Sequence, residues 1–480
     1  MWIGLDFGTS ATKAVLVDSM GKVHARGSAP MTTTRPGGSM AEQDADDYVS
    51  SARIAIAGLG PLDGELLGIG LSGHTPSVVV VDAAGRPLRP VLTWQDTRAE
   101  QEAIELAAEL GDPVPLVGTS LPWAASACPA KLRWLAEHES WIVDETQWVL
   151  QPKDYVGLVL TGSAVSDPWS SKGLCHVGSR APAAEVMAAT GWPARVVPTI
   201  ADGQASRGAL TDAGAKLLGL PAAGAAVSVG WSDAMAGMLS VGALTNPSAF
   251  VLAGTSSIVG MSVQHAPADA HPLYVIPNTC APSAVIYGPT QASGASIEWL
   301  ARLFTTTPDR IIEAASAAVG PIPVFVPYLA GERAPVWRTD VRAVFAGLDL
   351  AHGFEHLASA VVHGVAFGDR HVLEVAAKFA GATSGPVRLG GHAGADPRWH
   401  AARLRTLGLP ILAFDDVDPA SRGAAMLGMA ASGIDLADAV ERVAAPATLI
   451  EPSAEDREYA TREFASYLRW VAATLGEPAG

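Results

Sequence analysis

The sequence predicts an α/β protein built of two large domains of similar plan, with a cleft between two facing phosphate loops. The chain has 480 residues, which is more than one hydrophobic core usually organises. Apolar, β-prone runs alternate with helix-forming segments in both halves. A Gly-Thr-Ser turn flanked by two apolar runs also occurs twice, at residues 8–10 and 254–256. Each copy has the pattern of a strand, a tight glycine turn and a returning strand.

The first domain is predicted to begin with a β-meander formed by residues 3–5, 14–17 and 23–25. Asp44 can cap a helix that runs from residue 45 to residue 59, because its carboxylate can accept a bond from a free N–H group of the first turn. Further along, the apolar pattern predicts two buried strands and one helix, at residues 66–71, 78–81 and 97–110.

The boundary between the two predicted domains lies near Gly242. An N-terminal domain of residues 1–242 then carries the first Gly-Thr-Ser turn, and a C-terminal domain of residues 243–480 carries the second. After the boundary, strands and helices alternate again, which is typical of a second α/β domain.

Charge and composition disfavour several classes of partner. The net charge of −16 argues against nucleic acid and against an anionic membrane surface. ATP is not excluded, because local backbone N–H groups and Mg²⁺ can outweigh a distant global charge. The hydrophobic content of 49% favours well-packed cores over long disordered segments.

The chain also lacks the patterns of a membrane or secreted protein. Its most apolar stretch, residues 225–263, is interrupted by an aspartate, by Pro247 and by many glycines, so it predicts buried strands rather than a membrane span. The first residues show no basic start followed by an apolar core, so we expect no secretory signal and a cytoplasmic location. The cysteines are few, far apart and odd in number, which predicts buried thiols rather than disulfides or a zinc site.

Each Gly-Thr-Ser turn has the groups needed to bind an anion, namely successive backbone N–H groups and two hydroxyls. The two copies differ two residues before the glycine, where the first has Asp6 and the second has Leu252. A carboxylate beside a phosphate is favourable mainly when a cation lies between them, so the first loop is predicted to hold Mg²⁺ and the second only phosphate. The alternative is two unrelated turns in a glycine-rich protein.

Motifs of one protein family occur in order along nearly the whole chain. They are the first Gly-Thr-Ser loop, residues 88–90, 94–98, 152–155 and 232–234, the second loop, residues 331–335, 390–391 before Trp399, and 407–410. On these motifs the sequence resembles carbohydrate kinases of the FGGY family, in the actin and hexokinase superfamily, and within that family the xylulokinases. The resemblance implies an α/β fold of two actin-like (ribonuclease H-like) domains with a central inter-domain cleft.

The resemblance also implies an activity, the transfer of the γ-phosphate of ATP to a hydroxyl of a small sugar or polyol, with Mg²⁺ as the metal. The first candidate acceptor is a ketopentose such as D-xylulose, and another ketose, an alditol or an aldonate is the alternative. A non-catalytic, nucleotide-dependent sugar-binding relative is an alternative of another class, since fold alone does not fix function. A homodimer is expected by analogy.

Asp233 is the predicted general base. Phosphoryl transfer requires fixed phosphates, a metal ion, and an acceptor hydroxyl held in line near a base. Asp233 follows a predicted strand that ends at Gly230, and it matches the catalytic aspartate of the family. Asp6 matches the acid of the family's first loop, and both acids are predicted to bind Mg²⁺. The alternative role for Asp233, compatible with catalysis, is to cap a helix that starts at Ala234.

The resemblance assigns further residues to the nucleotide. The ammonium of Lys13 is predicted to contact terminal phosphates, although Lys13 is also compatible with a surface position on the returning strand. His392 stands where the family usually has a third glycine. The predicted nucleotide-binding residues are Gly8, Thr9, Ser10, Thr12, Lys13, Gly254, Thr255, Ser256, Gly294, Gly390, Gly391, His392 and Ala393.

The acceptor side departs from the pattern of xylulokinases. Residues 73–77 fall where these kinases have Gly-Gln-Met-His-Gly, and Thr75 and Pro76 replace the Met-His pair. Because proline has no side-chain donor and no N–H group, at least one hydrogen bond to a sugar hydroxyl is lost. We therefore expect a preferred acceptor that differs from that of a typical xylulokinase. The predicted acceptor-binding residues are His74, Thr75, Trp94, Asp96 and Asp233.

Overall fold

The computed structural model of the protein describes residues 1–265, 267, 269–380 and 385–476. The last four residues of the predicted C-terminal domain, and six within it, lie outside the described residues. The predicted α/β class of fold is confirmed, since strands and helices alternate along both halves of the chain.

The described strands are short to medium in length. In chain order they are β1 (Trp2–Phe7), β2 (Ala11–Val17), β3 (Val23–Pro30), β4 (Glu42–Gln43), β5 (Gly68–Gly73), β6 (Val79–Val81), β7 (Val91–Leu92), β8 (Trp148–Leu150), β9 (Val165–Ser166), β10 (Thr199–Ile200), β11 (Ser206–Ala209), β12 (Ala226–Ser228), β13 (Trp231–Ser232), β14 (Ala249–Ala253), β15 (Ser257–Val263), β16 (Tyr274–Ile276), β17 (Ala284–Pro289), β18 (Val324–Val326), β19 (Val344–Ala346), β20 (Val387–Gly391), β21 (Ile411–Phe414) and β22 (Ala447–Ile450).

The described helices range from single turns to long helices near the C-terminus. In chain order they are α1 (Ala45–Ala57), α2 (Glu100–Leu110), α3 (Val114–Val117), α4 (Cys128–His138), α5 (Trp141–Glu145), α6 (Pro152–Thr161), α7 (Ala184–Ala189), α8 (Asp212–Leu218), α9 (Asp233–Ser240), α10 (Gly294–Leu303), α11 (Pro308–Ala315), α12 (Phe354–Ala380), α13 (His392–Ala395), α14 (Pro397–Leu407), α15 (Pro419–Ala431), α16 (Leu436–Val443) and α17 (Ala454–Leu475). A short 3₁₀ helix spans Ala194–Val196.

The first two helices lie where the sequence predicts them, but the second begins later than predicted. Helix α1 begins at its predicted cap, where the side chain of Asp44 accepts a first-turn N–H bond. The helix predicted over residues 97–110 instead begins at Glu100. The N–H group of Thr97, before the helix, bonds to the carbonyl oxygen of Ser39 at 2.9 Å.

The chain divides into two compact units. The first unit is Met1–Thr245, Ile276–Pro282 and Asp418–Ala444, and the second is Asn246–Val275, Ser283–Val417 and Ala445–Gly480. The main division lies close to the predicted boundary at Gly242. The segments 276–282 and 418–444, which the sequence assigned to the C-terminal domain, belong to the first unit.

Helix α15 shows why the chain returns to the first unit. It packs on β1 and β5, and both strands have glycine at the contact. A Cβ atom at Gly4 would lie 2.1 Å from the carbonyl oxygen of Ser421, and one at Gly70 would lie 1.6 Å from that of Ala424. Only glycine lets the helix and sheet backbones approach this closely, so the fit of α15 depends on residues remote from it in sequence.

The main sheet of the first unit positions the first Gly-Thr-Ser loop. Its strand order is β11-β12-β5-β1-β2-β3, and β13 also pairs with β5. Strands β1, β2 and β3 form an antiparallel meander, whereas β5 and β12 lie parallel to β1. Buried side chains of α1, α6 and α8 pack with this sheet to form the core.

The main sheet of the second unit repeats this plan. Its strand order is β16-β17-β15-β14-β20-β21-β22. Strand β15 is antiparallel to β14 and β17, while β20 is parallel to β14 and to β21. Strands β14, β15, β17 and β20 therefore take the places of β1, β2, β3 and β5.

Candidate active site

The first Gly-Thr-Ser loop joins β1 to β2. The two strands place Asp6 opposite Lys13, and the N–H group of Gly8 closes the turn by bonding to the carbonyl oxygen of Ala11 at 3.1 Å. A Cβ atom at Gly8 would lie 2.8 Å from that oxygen, so the tight turn requires glycine. Ser10 at the tip is exposed to solvent.

Asp6 is buried at the end of β1. The neighbouring strand β5 places Ser72 beside it, and the Ser72 hydroxyl donates a hydrogen bond of 2.7 Å to the Asp6 carboxylate. Burial raises the pKa of Asp6, while Ser72 and Lys13 oppose the rise. Because burial disfavours a lone negative charge, a cation bound nearby would stabilise the ionised carboxylate.

Asp233 is the first residue of α9 and directly follows β13. Ser232 is the N-cap of this helix, and its side chain accepts a hydrogen bond from the N–H group of Met235 at 3.4 Å. Asp233 accepts a bond from the N–H group of Ala234 at 2.7 Å. The capping role considered for Asp233 therefore belongs to Ser232, and the helix begins one residue earlier than the sequence suggested.

The electrostatic surroundings of Asp233 suit proton transfer. Burial and, after it, the charge of Asp6 raise the pKa of Asp233 to about 7, against the opposing effects of the Ala234 N–H group and of Lys172. A carboxylate with a pKa near neutrality is matched to accepting a proton from a hydroxyl group. The register of β5 also brings the two predicted acids together, because Asp6 pairs with Ser72 and Ser232, which precedes Asp233, pairs with Gly73.

Trp94 contacts the first loop. Its Nε1 atom donates a hydrogen bond of 2.7 Å to the hydroxyl of Thr9. Asp96, two residues further, is fully buried and accepts bonds from the guanidinium of Arg98 and from the N–H group of Ala41 at 2.7 Å. Asp96 therefore fixes the segment that carries Trp94 against the first Gly-Thr-Ser loop.

The loop after β5 begins with His74. This histidine is buried, with Nε2 3.1 Å from the hydroxyl of Tyr48 and Nδ1 2.8 Å from the hydroxyl of Ser77. Burial lowers the pKa of His74 to about 3, so the ring is neutral and both of its nitrogens are engaged. Thr75 is partly exposed, and its hydroxyl lies 3.5 Å from Nζ of Lys172.

Two residues predicted to contact the nucleotide have partners within the first unit. The hydroxyl of Thr12 is fully buried and lies 2.7 Å from that of Ser51 in α1. The ammonium of Lys13 forms an ion pair of 2.5 Å with Asp418, in the segment before α15. The structure thus places Thr12 in the core and sets a carboxylate against the charge of Lys13.

The second Gly-Thr-Ser loop joins β14 to β15, and the start of α10 packs on it. The N–H group of Gly294 bonds to the carbonyl oxygen of Gly254 at 3.0 Å. A Cβ atom at Gly294 would lie 2.7 Å from the same oxygen, so glycine is needed for this approach. Thr255 is exposed and Ser256 is partly exposed, which leaves the tip of the loop accessible.

The paired glycines end β20, beside the second loop. Gly391 lies next to Ala253 in the parallel register, has a φ of 73°, and a Cβ atom on it would lie 2.3 Å from the Ala253 carbonyl oxygen. Gly390 precedes it in the strand. His392 follows as an exposed residue at the start of α13. The backbone of Ala393 lies in the same helix, and its side chain lies outside the described part of the structure.

Two family models match the chain. The N-terminal domain of the FGGY family of carbohydrate kinases matches residues 1–240, and the C-terminal domain of the same family matches residues 249–432. The protein belongs to the FGGY family of carbohydrate kinases.

Relatives of this FGGY kinase cover most of its length. The xylulose kinase of Escherichia coli (strain K12) is 30% identical over 379 residues, which are 76% of this chain and 77% of that protein. The gluconokinase of Bacillus subtilis (strain 168) is 26% identical over 491 residues, covering 96% of this chain and 93% of that protein. The crystal structure of xylulose kinase from Rhodospirillum rubrum matches with a TM-score of 0.85 and 26% identity, covering 99% and 98% of the two chains.

These matches confirm the predicted family, the two-domain α/β fold and the enzyme class. The FGGY kinase is an ATP-dependent carbohydrate kinase, and ATP and a sugar are its substrates. In the part of the chain that the structure describes, no helix is long and apolar enough to cross a membrane.

Sequence reasoning missed three residues of this FGGY kinase that contact the predicted site. Ser72 is hidden inside an apolar strand, although its place at the end of that strand was a usable signal. Asp418 comes from a segment that only the packing of α15 brings back to the first unit. Lys172 had no signal, because lysine is normally exposed to solvent.

Proposed function

We propose that this FGGY kinase transfers the γ-phosphate of ATP to a hydroxyl group of a small sugar, with Asp233 as the general base. The observation that carries the proposal is the position of Asp233 at the start of α9, where burial and Asp6 raise its pKa to about 7. An aspartate in this state can take a proton from an acceptor hydroxyl at neutral pH.

The proton and phosphoryl movements balance in one step. The acceptor hydroxyl gives its proton to the carboxylate of Asp233 while its oxygen bonds to the γ-phosphorus. The bond between that phosphorus and the bridging oxygen breaks, and ADP leaves with the electron pair. Asp233 then releases the proton to solvent.

Each unit offers its own groups to the nucleotide. In the first unit, the backbone of Gly8 and the hydroxyl of Ser10 lie in a tight turn suited to phosphate oxygens. In the second unit, the exposed tip of the loop at residues 254–256 offers the same groups. The adjoining residues 390–392 present glycine backbone and an exposed histidine ring, which suit a base and ribose.

The donor set of the first unit fits Mg²⁺, since carboxylate oxygens are the ligands this ion prefers. Asp6 and Asp233 would hold it, because the charge of Asp6 raises the pKa of Asp233 and a divalent cation relieves such repulsion. When bound, the metal supplies neutralisation of charge on the transferred phosphate.

The reference acceptor in this proposal is a ketopentose such as D-xylulose, which the relatives named xylulose kinase support. The replacement of a Met-His pair by Thr75 and Pro76 argues for a different acceptor. The relative named gluconokinase keeps an aldonate among the alternatives, together with another ketose or an alditol.

The test is acceptor-dependent ADP formation by the wild-type enzyme and by Asp233→Asn. The wild type should turn over with at least one ketose, alditol or aldonate, and the variant should lose about 10²- to 10⁴-fold in kcat with little change in the dissociation constant for ATP. Asp212→Asn is the matched control, because Asp212 is also the first residue of a helix, α8, and is exposed.

Near-normal turnover in Asp233→Asn would remove Asp233 from the mechanism. Tight ATP binding by the wild type without ADP formation from any acceptor would favour a nucleotide-dependent, sugar-binding relative without kinase activity.

A further inference from the structure

Buried lysine side chains in the first unit point to the chemistry of the acceptor. Among the described residues, the buried lysines are Lys131, Lys153 and Lys172. A buried ammonium is costly unless other groups replace its water. The partners of each lysine therefore indicate what its charge does.

Two of these lysines have short contacts that account for their burial. The ammonium of Lys131 donates hydrogen bonds to the carbonyl oxygens of Thr93 at 2.6 Å and Pro76 at 3.1 Å. The ammonium of Lys153 lies 2.6 Å from the carboxylate of Asp154 and 3.0 Å from that of Asp167. Lys131 is thus held by two backbone carbonyl oxygens, and Lys153 is held by two carboxylates.

The ammonium of Lys172 has only long contacts. Its Nζ atom lies 3.3 Å from the carbonyl oxygen of Trp169, 3.5 Å from the hydroxyl of Thr75, and 5.1 Å from the centre of the Trp169 ring. No carboxylate of the described residues lies within the 4 Å distance of an ion pair. An ammonium has three N–H donors, and two of those of Lys172 have acceptors at 3.3 and 3.5 Å, so Lys172 has donor capacity for another partner.

Lys172 lies on the acceptor side of the proposed active site. It contacts Thr75, one of the two residues that replace the Met-His pair of the xylulokinases. It also lies near the proposed base, because Thr75 follows Gly73 by two residues and Gly73 pairs with Ser232, the residue before Asp233. An acceptor whose hydroxyl reaches Asp233 therefore enters the field of this ammonium.

We propose that Lys172 binds a carboxylate of the acceptor, so that the preferred acceptor is a small sugar acid of the aldonate class. This inference rests on the proposed function and names the acceptor of the same site. A bound neutral ketose would displace water from the ammonium without supplying a carboxylate at ion-pair distance, which the described residues also do not supply. A carboxylate instead forms a charge-assisted hydrogen bond with it and offsets the loss of the donor at Pro76.

The test compares acceptors of one carbon number that differ in charge. We would measure kcat/KM for D-xylonate, xylitol and D-xylulose, and for D-gluconate and D-glucitol. The wild type should prefer the better aldonate over its alditol by about tenfold or more. Lys172→Met should lower kcat/KM for the aldonate by about 10- to 100-fold, mainly through KM, with a change of less than about threefold for the alditols.

Lys216→Met is the matched control, because Lys216 lies in α8 and is exposed; it should leave the preference among acceptors unchanged. Lys172→Arg keeps the positive charge and should retain part of the preference for the aldonate. The comparison of acceptors with wild-type enzyme also tests the proposal by itself, so it does not depend on the folding of Lys172→Met.

Three other outcomes would contradict the proposal, and each identifies the step of the argument that is wrong. An equal loss for aldonate and alditol in Lys172→Met would make Lys172 a support for Asp233 and not a ligand of the acceptor. A wild-type preference for a neutral ketose would overturn the aldonate assignment and leave the kinase function intact. A wild type that forms no ADP with any acceptor would contradict the proposed function itself.

Discussion

The two units place the same turn at the same point of the same sheet and surround it with different side chains. In the first unit, β1 enters the turn and β5 runs parallel to it, ending in Gly73 and followed by His74. In the second unit, β14 enters the turn and β20 runs parallel to it, ending in Gly391 and followed by His392. The backbone plan and even the glycine–histidine pair are shared.

The difference lies in burial and charge. Asp6 in the first loop corresponds to Leu252 in the second, so only the first loop has a carboxylate at this position. His74 is buried and bonded within the core, whereas His392 is exposed. The two units thus share one backbone scaffold, and only the first loop has a carboxylate at this position, which is why the proposed acid–base chemistry is assigned to the first unit.

The largest expected effect comes from removing the carboxylate that distinguishes the first loop. In Asp6→Asn, the amide oxygen can still accept the bond from Ser72, but the charge is lost. We expect kcat to fall by about 10²- to 10³-fold, the size of effect seen when a charged or polar group of a transition-state site is removed. Thermal unfolding should be unchanged or shifted upward, because a buried charge is costly.

Leu252→Met is the control for Asp6→Asn at the corresponding position of the second loop, and it should leave kcat nearly unchanged. A kcat within about tenfold of the wild type in Asp6→Asn would show that the two loops are more alike in function than their sequences suggest.

A smaller effect is expected from Gly391→Ala in the second unit. The φ of 73° disfavours any residue with a Cβ atom, and that atom would lie 2.3 Å from the carbonyl oxygen of Ala253. The backbone displacement that relieves this clash should distort the predicted nucleotide-binding loop at residues 254–256. We expect KM for ATP to rise by about tenfold, with little change in KM for the acceptor. Gly385→Ala is the control, because a Cβ atom there meets open space. Equal KM values for ATP in the two variants would place the nucleotide away from β20.

The sequence was sufficient for features that depend on short segments. The turns at residues 8–10 and 254–256 and the cap at Asp44 are set by residues that adjoin them in the chain, so local rules apply. Helix α2 begins three residues later than predicted, and the contact of Thr97 with Ser39 is one that no local rule includes.

Long-range packing explains what sequence reasoning could not supply. The return of residues 418–444 to the first unit depends on Gly4 and Gly70 facing the backbone of α15, and it is this return that brings Asp418 to Lys13. The long contacts of Lys172 are visible only once its segment is placed beside the loop that carries Thr75. The predicted grouping of Gly254, Gly294 and residues 390–392 is spatially consistent with the structure, and its role in nucleotide binding stays a prediction.

The smallest expected effect separates two hydroxyls of the first loop region that the sequence treated alike. Thr12 is buried against Ser51, and Ser51 has a second bond of 3.1 Å to the carbonyl oxygen of Tyr48. Thr12→Val should therefore cost about 1 kcal/mol of unfolding free energy, the value of one buried hydrogen bond, with KM for ATP unchanged. Ser10→Ala at the exposed tip should do the reverse, raising KM for ATP about two- to tenfold without a loss of stability. Urea unfolding and steady-state kinetics on both variants test whether each hydroxyl contributes to stability or to ATP binding. A rise in KM for ATP in Thr12→Val with full stability would move Thr12 from the core to the phosphate site, and the two units would then differ less than their structures indicate.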